Sequence, residues 1–256
     1  TQNKGSEIGM NISGASNIGR IRSSNQDSFI TGKMSDSVGF AVVCDGMGGA
    51  NGGNIASGLA VKTFAACIKK GFSSRSADDF DEFEIKRLLK TAVNEANHQV
   101  YEKSTSSPEF EGMGTTLVAA LVHGKKATVV NVGDSRAYGI NRNGISQITK
   151  DHSLVQMMVD RGELTPERAR TYPGKNFITR AIGTEPVVDC DLFHRNVDRG
   201  DYLLLCSDGL SNMMDDQEIL FEVVHGFNKQ LCCQRLTDIA KNRGGPDNIT
   251  SILIAV

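Results

Sequence analysis

Acids at the ends of apolar runs are the first sign of chemistry in this chain. Phe40-Ala41-Val42-Val43-Cys44 is an apolar run of strand length, and it stops on Asp45-Gly46-Met47-Gly48-Gly49. A buried strand would deliver Asp45 to a sheet edge, where glycines let backbone and ligand approach closely. The pattern returns at Tyr202-Leu203-Leu204-Leu205-Cys206-Ser207-Asp208-Gly209. A third acid stands in Gly244-Gly245-Pro246-Asp247-Asn248, just ahead of the apolar run 249–256. Asp-Gly is also an ordinary turn pair, so either copy alone says little. Two copies behind buried runs, with Asp247 as a third acid, point to carboxylate ligands for a hard cation such as Mg or Mn.

Two further stretches carry candidate groups. Gly19-Arg20-Ile21-Arg22-Ser23-Ser24-Asn25-Gln26-Asp27 places two arginines, an amide and an acid close together. Arg22 can grip a phosphate through paired N–H groups, and Asp27 could fix that arginine or support a metal shell. A solvated turn is the plain alternative. Gly133-Asp134-Ser135 adds an acid at another strand end, either a catalytic or metal-linked carboxylate or a bend residue capping its own backbone.

The elements that would position these groups follow from periodicity. Residues 52–71 carry Ile55, Leu59, Ala60, Phe64, Cys67 and Ile68 at helical spacing. A second helix carries Ile85, Leu88, Leu89, Ala92, Val93, Ala96 and Val100 on one face, leaving His98 off the stripe. Residues 115–122 and 127–132 read as a hairpin around His123-Gly124-Lys125-Lys126. Residues 136–140 and 145–149 read as a second, turning on Asn141-Arg142-Asn143-Gly144 with an Asn-Gly signal. Consecutive hairpins mean antiparallel sheet rather than βαβ alternation. Within 151–182, a short helix at 154–161 is followed by Thr165-Pro166, an N-cap and first-turn pair, which suggests a small inserted lid. The arginines at 161, 168, 170 and 180 are either recruiters of an anionic substrate or solvated helix residues. Residues 187–197 and 202–206 read as strands. Asp215 or Asp216 should cap a helix, and a C-terminal helix ends near Gly244 before a last strand.

Composition narrows the function classes. With 256 residues, 23% of them charged, and a formal net charge of −2, nothing recommends nucleic acid or an anionic membrane as partner. No apolar stretch reaches about 18 residues, and no charged-then-apolar leader opens the chain. The six cysteines show no Cys-x-x-Cys pair, so neither structural zinc nor a disulfide framework is expected, and a cytoplasmic setting fits. Residues 1–9 are polar and aperiodic, a disordered or tag-derived tail ahead of Met10.

Six motifs in order carry a family resemblance: Arg22-Ser-Ser-Asn-Gln-Asp27, Asp45-Gly-Met-Gly-Gly49, Gly114-Thr-Thr116, Gly133-Asp-Ser-Arg136, Asp208-Gly209 and Gly245-Pro-Asp-Asn248. Over residues 10–256 the chain resembles the metal-dependent serine/threonine protein phosphatases (PPM, or type 2C), particularly the bacterial branch. The resemblance implies an α+β fold over 10–256: an αββα sandwich of two antiparallel sheets flanked by helix pairs, with 151–182 as a variable flap. It implies two Mn or Mg ions held by Asp45, which bridges them, Asp208, Asp247 and the Gly46 carbonyl, with a third ion at Asp134 and Asp208. Arg22 matches the phosphate-gripping arginine, and Asp27 the acid that anchors the metal-water network. Two departures stand out. Met47 occupies the place where many eukaryotic members have a histidine proposed as general acid, and Gln26 stands where many have glutamate.

The chemistry has a physical rationale beside the resemblance. Two divalent ions about 3.5–4 Å apart form the usual clamp for in-line displacement at phosphorus by a bridging water. They repel by roughly 17 kcal/mol at an effective dielectric of 20, so several converging acids are needed to hold them. The expected activity is hydrolysis of phosphoserine and phosphothreonine in proteins, by a monomer opposing a serine/threonine kinase. Two rivals are a small-molecule phosphohydrolase and a metal-binding or catalytically reduced regulatory module of the same fold.

Overall fold

A computed structural model describes residues 10–74, 76 and 79–256, so the tail 1–9 lies outside the described residues. Among the described residues, eleven strands and seven α-helices follow in the order β1 (Asn11–Asn17), β2 (Asp27–Lys33), β3 (Val38–Met47), α1 (Gly49–Gly71), α2 (Glu82–Thr105), β4 (Gly114–Thr115), β5 (Leu117–His123), β6 (Lys126–Val132), β7 (Arg136–Asn141), β8 (Gly144–Gln147), α3 (Leu154–Asp160), α4 (Pro166–Ala169), β9 (Asp191–Asn196), β10 (Tyr202–Cys206), α5 (Asp208–Ser211), α6 (Asp216–His225), α7 (Cys232–Asn242) and β11 (Ile249–Ala255). One sheet has the order β1-β11-β10-β7-β8. The other runs β2-β3-β5-β6-β9, with β4 joined to the end of β3. Every pairing is antiparallel.

Strand β3 shows why the layers stack as they do. Both of its faces are buried, so it reads as a continuous apolar run. Its alternate residues Ala41 and Val43 pack between the two sheets with Val118, Ala120, Leu203, Leu205 and Ile252. Val38, Phe40, Val42 and Cys44 point the other way, under α1 and α2, against Phe64, Ile68, Leu89 and Val93. On the far side, Leu204, Cys206 and Leu253 pack against Ile219, Val223 and Leu236 of α6 and α7. The result is the αββα sandwich, with one apolar layer between the sheets and one beneath each helix pair.

The helix ends follow their sequence signals. Asp81 and Asp215 each close a capping box, with Glu84 and Glu218 respectively. Thr165 caps α4, with Pro166 at the first position. Several boundaries differ from the sequence reading: α1 begins at Gly49, the strand read over 115–122 is divided into β4 and β5, and β8 ends at Gln147 rather than 149. His123 pairs with Lys126, so only Gly124 and Lys125 form that turn. Asn141 pairs with Gly144, which centres the next turn on Arg142-Asn143 rather than on Asn-Gly; the Asn141 side chain closes it by accepting from the Asn143 N–H at 2.8 Å. Strand β9 is shorter than 187–197, because its partner β6 offers a ladder only from Asn131↔Asp191 to Lys126↔Asn196.

All the candidate acids gather at one end of the sandwich. Asp45 lies at the carboxyl end of β3, an internal strand rather than a sheet edge, and Asp208 immediately follows β10. Asp247 precedes β11, which runs antiparallel to β10, so both meet at the same rim. Asp134 sits in the crossing from β6 in one sheet to β7 in the other.

Candidate active site and metal centre

Each Asp-Gly pair works through a close backbone approach. A Cβ at Gly46 would stand 2.0 Å from the Gly53 carbonyl oxygen, and one at Gly209 would stand 1.9 Å from that of Asn248. Only glycine lets α1 begin against the Asp45 strand, and only glycine lets α5 tuck under the Asp247 loop. The Asp45 backbone is pinned by Thr116, whose Oγ1 accepts from the Asp45 N–H at 2.9 Å and whose N–H donates to the Asp45 carbonyl at 2.9 Å. Asn248 holds the arginine-bearing loop: its Nδ2 donates to the Ile18 and Ser24 carbonyls at 2.9 and 3.0 Å, and its Oδ1 accepts from the Gln26 N–H at 2.8 Å.

These supports open onto a cleft of about 300 Å³, whose walls include Arg22, Asp45, Gly46, Asp134, Asp208 and Asp247. Five acids were singled out in the sequence, and four of them share this wall. Asp27 does not line it. It lies directly across the ladder from Asp45, and its Oδ2 accepts from the Ser207 hydroxyl at 2.8 Å. Arg22 is half exposed and donates to Asp247 Oδ2 at 2.8 Å. Met47 and the flap residues Asn176 and Ile178 complete the rim.

The electrostatics show what the cleft lacks. Burial, then repulsion from Asp27, Asp208 and their neighbours, holds the Asp45 carboxyl well above the ordinary range. Burial and Asp247 raise Asp208 as well. Asp134 is pushed up to about 8 by burial and by Asp208. Asp27 rises to about 7 by burial, against hydrogen bonds from Thr250 and Ser207. Among the described residues, Asp27 Oδ1 and Asp208 Oδ1 are buried without a protein hydrogen-bond partner. A buried carboxylate oxygen left unpaired costs about 1–3 kcal/mol or more, so these atoms call for a cation or water. Hard oxygen donors, mutual repulsion and orphaned carboxylate oxygens suit Mg or Mn. Among the described residues the acids line an open cleft and do not already close into a cage of three ligands.

The supporting roles of His152 and Arg136 at the flap base were not read from the sequence. His152 is buried, and its Nδ1 accepts the Gly133 N–H at 3.0 Å while its own N–H returns to the Gly133 carbonyl at 2.9 Å. With Nδ1 accepting, Nε2 carries the proton and faces Asp191 Oδ2 at 3.2 Å. The residue before Asp134 is thereby clamped to the base of the flap. Arg136, next to Ser135, binds Asp151 through Nε and a second nitrogen at 3.0 and 2.7 Å and fixes the same flap base. Asp-His-Ser at 151–153 was the available signal: three polar residues between strand β8 and helix α3.

A sandwich with this acidic cleft at one end has close relatives. The chain is 37% identical to the serine/threonine phosphatase stp of Listeria welshimeri over 238 residues, 92% of each protein. The crystal structure of serine/threonine phosphatase Stp1 from Staphylococcus aureus superposes with a TM-score of 0.88 at 34% identity, covering 100% of this chain and 99% of that one. The PstP catalytic domain in complex with two manganese ions superposes with a TM-score of 0.82 at 33% identity, covering 96% of this chain and 98% of that one. The protein phosphatase 2C profile spans residues 14–239, nearly the whole sandwich and most of its acidic rim. By that match and those identities the chain belongs to the protein phosphatase 2C family.

Proposed function

We propose that this chain is a metal-dependent protein serine/threonine phosphatase, with residues 10–256 forming one catalytic domain. The observation that carries the reading is the convergence of Asp45, Asp134, Asp208 and Asp247 with Arg22 on one cleft, with Asp208 Oδ1 buried and unpartnered. Asp45, Asp208, Asp247 and the Gly46 carbonyl would hold two Mn or Mg ions, and Asp134 with Asp208 would hold a third. Bound cations supply Lewis acidity and an activated water for attack on phosphorus. Arg22 neutralises the phosphoryl oxygens as charge develops, after leaving Asp247, which it can do once that carboxylate is a cation ligand. Asp27 supports Asp45 from behind and orders water through its unpartnered oxygen. The substrate is a phosphoprotein and the working partner a serine/threonine kinase pathway. The catalytic unit is a monomer. Among the described residues no helix is long and apolar enough to cross a membrane.

Phosphate release from a phosphothreonine peptide should require added Mn or Mg and stop with a chelator. Turnover that survives exhaustive metal removal would end this reading. A panel of nucleotides and sugar phosphates run beside the peptide separates a protein phosphatase from a small-molecule phosphohydrolase, and calorimetric Mn binding without turnover would indicate a regulatory module.

A further inference from the structure

Among the described residues, a donor holds the Asp208 carboxylate on one oxygen only. Its Oδ2 accepts from Asn212 Nδ2 at 3.0 Å, while Oδ1 is buried without a partner. Asn212 stands one helical turn after Asp208, with its own N–H on the Asp208 carbonyl at 2.8 Å, so backbone and side chain fix its place together. The other end of the Asn212 amide points out of this element: its Oδ1 accepts from Lys175 Nζ at 3.2 Å. Lys175 belongs to the flap and directly precedes Asn176, a residue of the cleft wall. An amide suits this place because one end must donate to a carboxylate and the other accept from an ammonium. Aspartate could not donate, and a hydrophobe could do neither.

We propose that Asn212 is a positioning residue that presents Asp208 to its cation, and that Lys175 is a rival cation, so that flap seating and metal loading at Asp208 oppose one another. This rests on the metal reading of the cleft. Lys175 stands two hydrogen bonds from the Asp208 carboxylate and stabilises its charge. A divalent ion on Asp208 takes that negative charge and repels the ammonium, so the latch weakens as the site fills. By linkage, the seated lysine must lower metal affinity by the same factor. The flap then lifts where an anionic substrate has to enter, and Lys175 is released beside the site with an unpaired positive charge.

The two residues therefore have opposite signs in one measurement. Lys175→Met removes a positive charge and should tighten calorimetric Mn binding about three- to tenfold, the range for one charge near a divalent ion at an intermediate dielectric. Asn212→Ala, made in the Lys175→Met background where the latch is already absent, frees the Asp208 carboxylate to rotate and should weaken Mn binding about tenfold relative to Lys175→Met. Both variants should speed trypsin cleavage after the exposed Arg168 and Arg170 of the flap. Added Mn should speed that cleavage in the unaltered chain and have less effect in Lys175→Met. Circular dichroism confirms that both variants fold. A merely structural lysine would loosen the flap without tightening Mn, so equal or weaker Mn binding by Lys175→Met overturns the latch. Unchanged binding when Asn212→Ala is added to Lys175→Met overturns the positioning role. If the unaltered chain binds no Mn, the metal reading itself falls, which is a different result from either.

Discussion

At the scale of single residues, the cleft separates groups that would touch the reaction from groups that hold them. Asp134 tests the first kind. If it only caps its turn, Asp134→Asn should be nearly neutral, because an amide oxygen caps about as well as a carboxylate. As a ligand shared with Asp208, the same change removes negative charge from a hard cation. Turnover on a phosphopeptide should then fall about tenfold, or ~1.4 kcal/mol in the barrier, while calorimetry still finds the other two ions. His152 tests the second kind. Its imidazole accepts the N–H of Gly133, so His152→Ala leaves that buried donor unpaired at a cost of about 1–3 kcal/mol. Turnover should fall with stability, and His152→Asn should restore part of both, since its Oδ1 can stand near the place of Nδ1. An urea midpoint unchanged in the alanine variant would remove the clamp. The acids were legible in the sequence because each ends or precedes an apolar run. Thr116, His152 and Asn212 were not, because their roles arise from hydrogen bonds to residues that only the fold brings close: Thr116 meets Asp45 across 71 positions.

At the scale of elements, the hairpins and the long helices were read from periodicity, whereas β1, β2 and the short α5 were not, because β1 and β2 are polar-rich and mostly half-buried; the misplaced boundaries have geometric causes. Strand β9 stops where β6 turns away, a fact about the partner strand and not about residues 187–190. The β7–β8 turn is centred by the Asn141 side chain, which outweighs the Asn-Gly preference one residue on. The two-layer packing was not legible from periodicity, which cannot say which face of a doubly buried strand meets a sheet and which meets a helix. The close approach of α5 to the strand entering β11 makes a prediction at this scale. Gly209→Ala would set a Cβ 1.9 Å from the Asn248 carbonyl oxygen, a backbone atom that cannot swing aside. The two elements must separate, carrying Asp208 away from Asp247. Thermal stability should fall by about 1–3 kcal/mol, as in overpacked cores. Mn affinity should fall with it, whereas an unaltered Mn isotherm would show that the two acids do not act on one site.

At the scale of the whole molecule, the fold spends stability to keep an acidic cleft, and this should show in how stability responds to pH and metal. Without cations, burial and mutual repulsion raise the folded-state values of Asp27 to about 7 and Asp134 to about 8, and raise Asp45 and Asp208 as well. In the unfolded chain all four titrate near 4. The folded state therefore binds more protons, so this contribution is complete below about pH 4 and is lost as pH rises through about 7 to 8. His152 works in the opposite sense: burial lowers its value, so its contribution is lost as pH falls below about 6.5. Glu82 and Glu218, lowered to about 2 by their lysine and arginine partners, act only in stronger acid. Burial also raises the six cysteine thiols, which titrate near 8.5 in the unfolded chain and add a slope of the same sign above about pH 7.5, so the window between about pH 7.5 and 7 isolates the cleft. Across it the chelated protein should become more stable as pH falls, by at most about 1.4 kcal/mol per pH unit for each carboxyl that titrates. Saturating Mn should raise stability throughout and flatten that slope, because cations replace protons as the neutralising charge. Urea unfolding at several pH values, with chelator and with excess Mn, makes the comparison. Equal slopes in the two series would mean that the acids titrate independently of metal, and the cleft would lose its claim to be a metal centre.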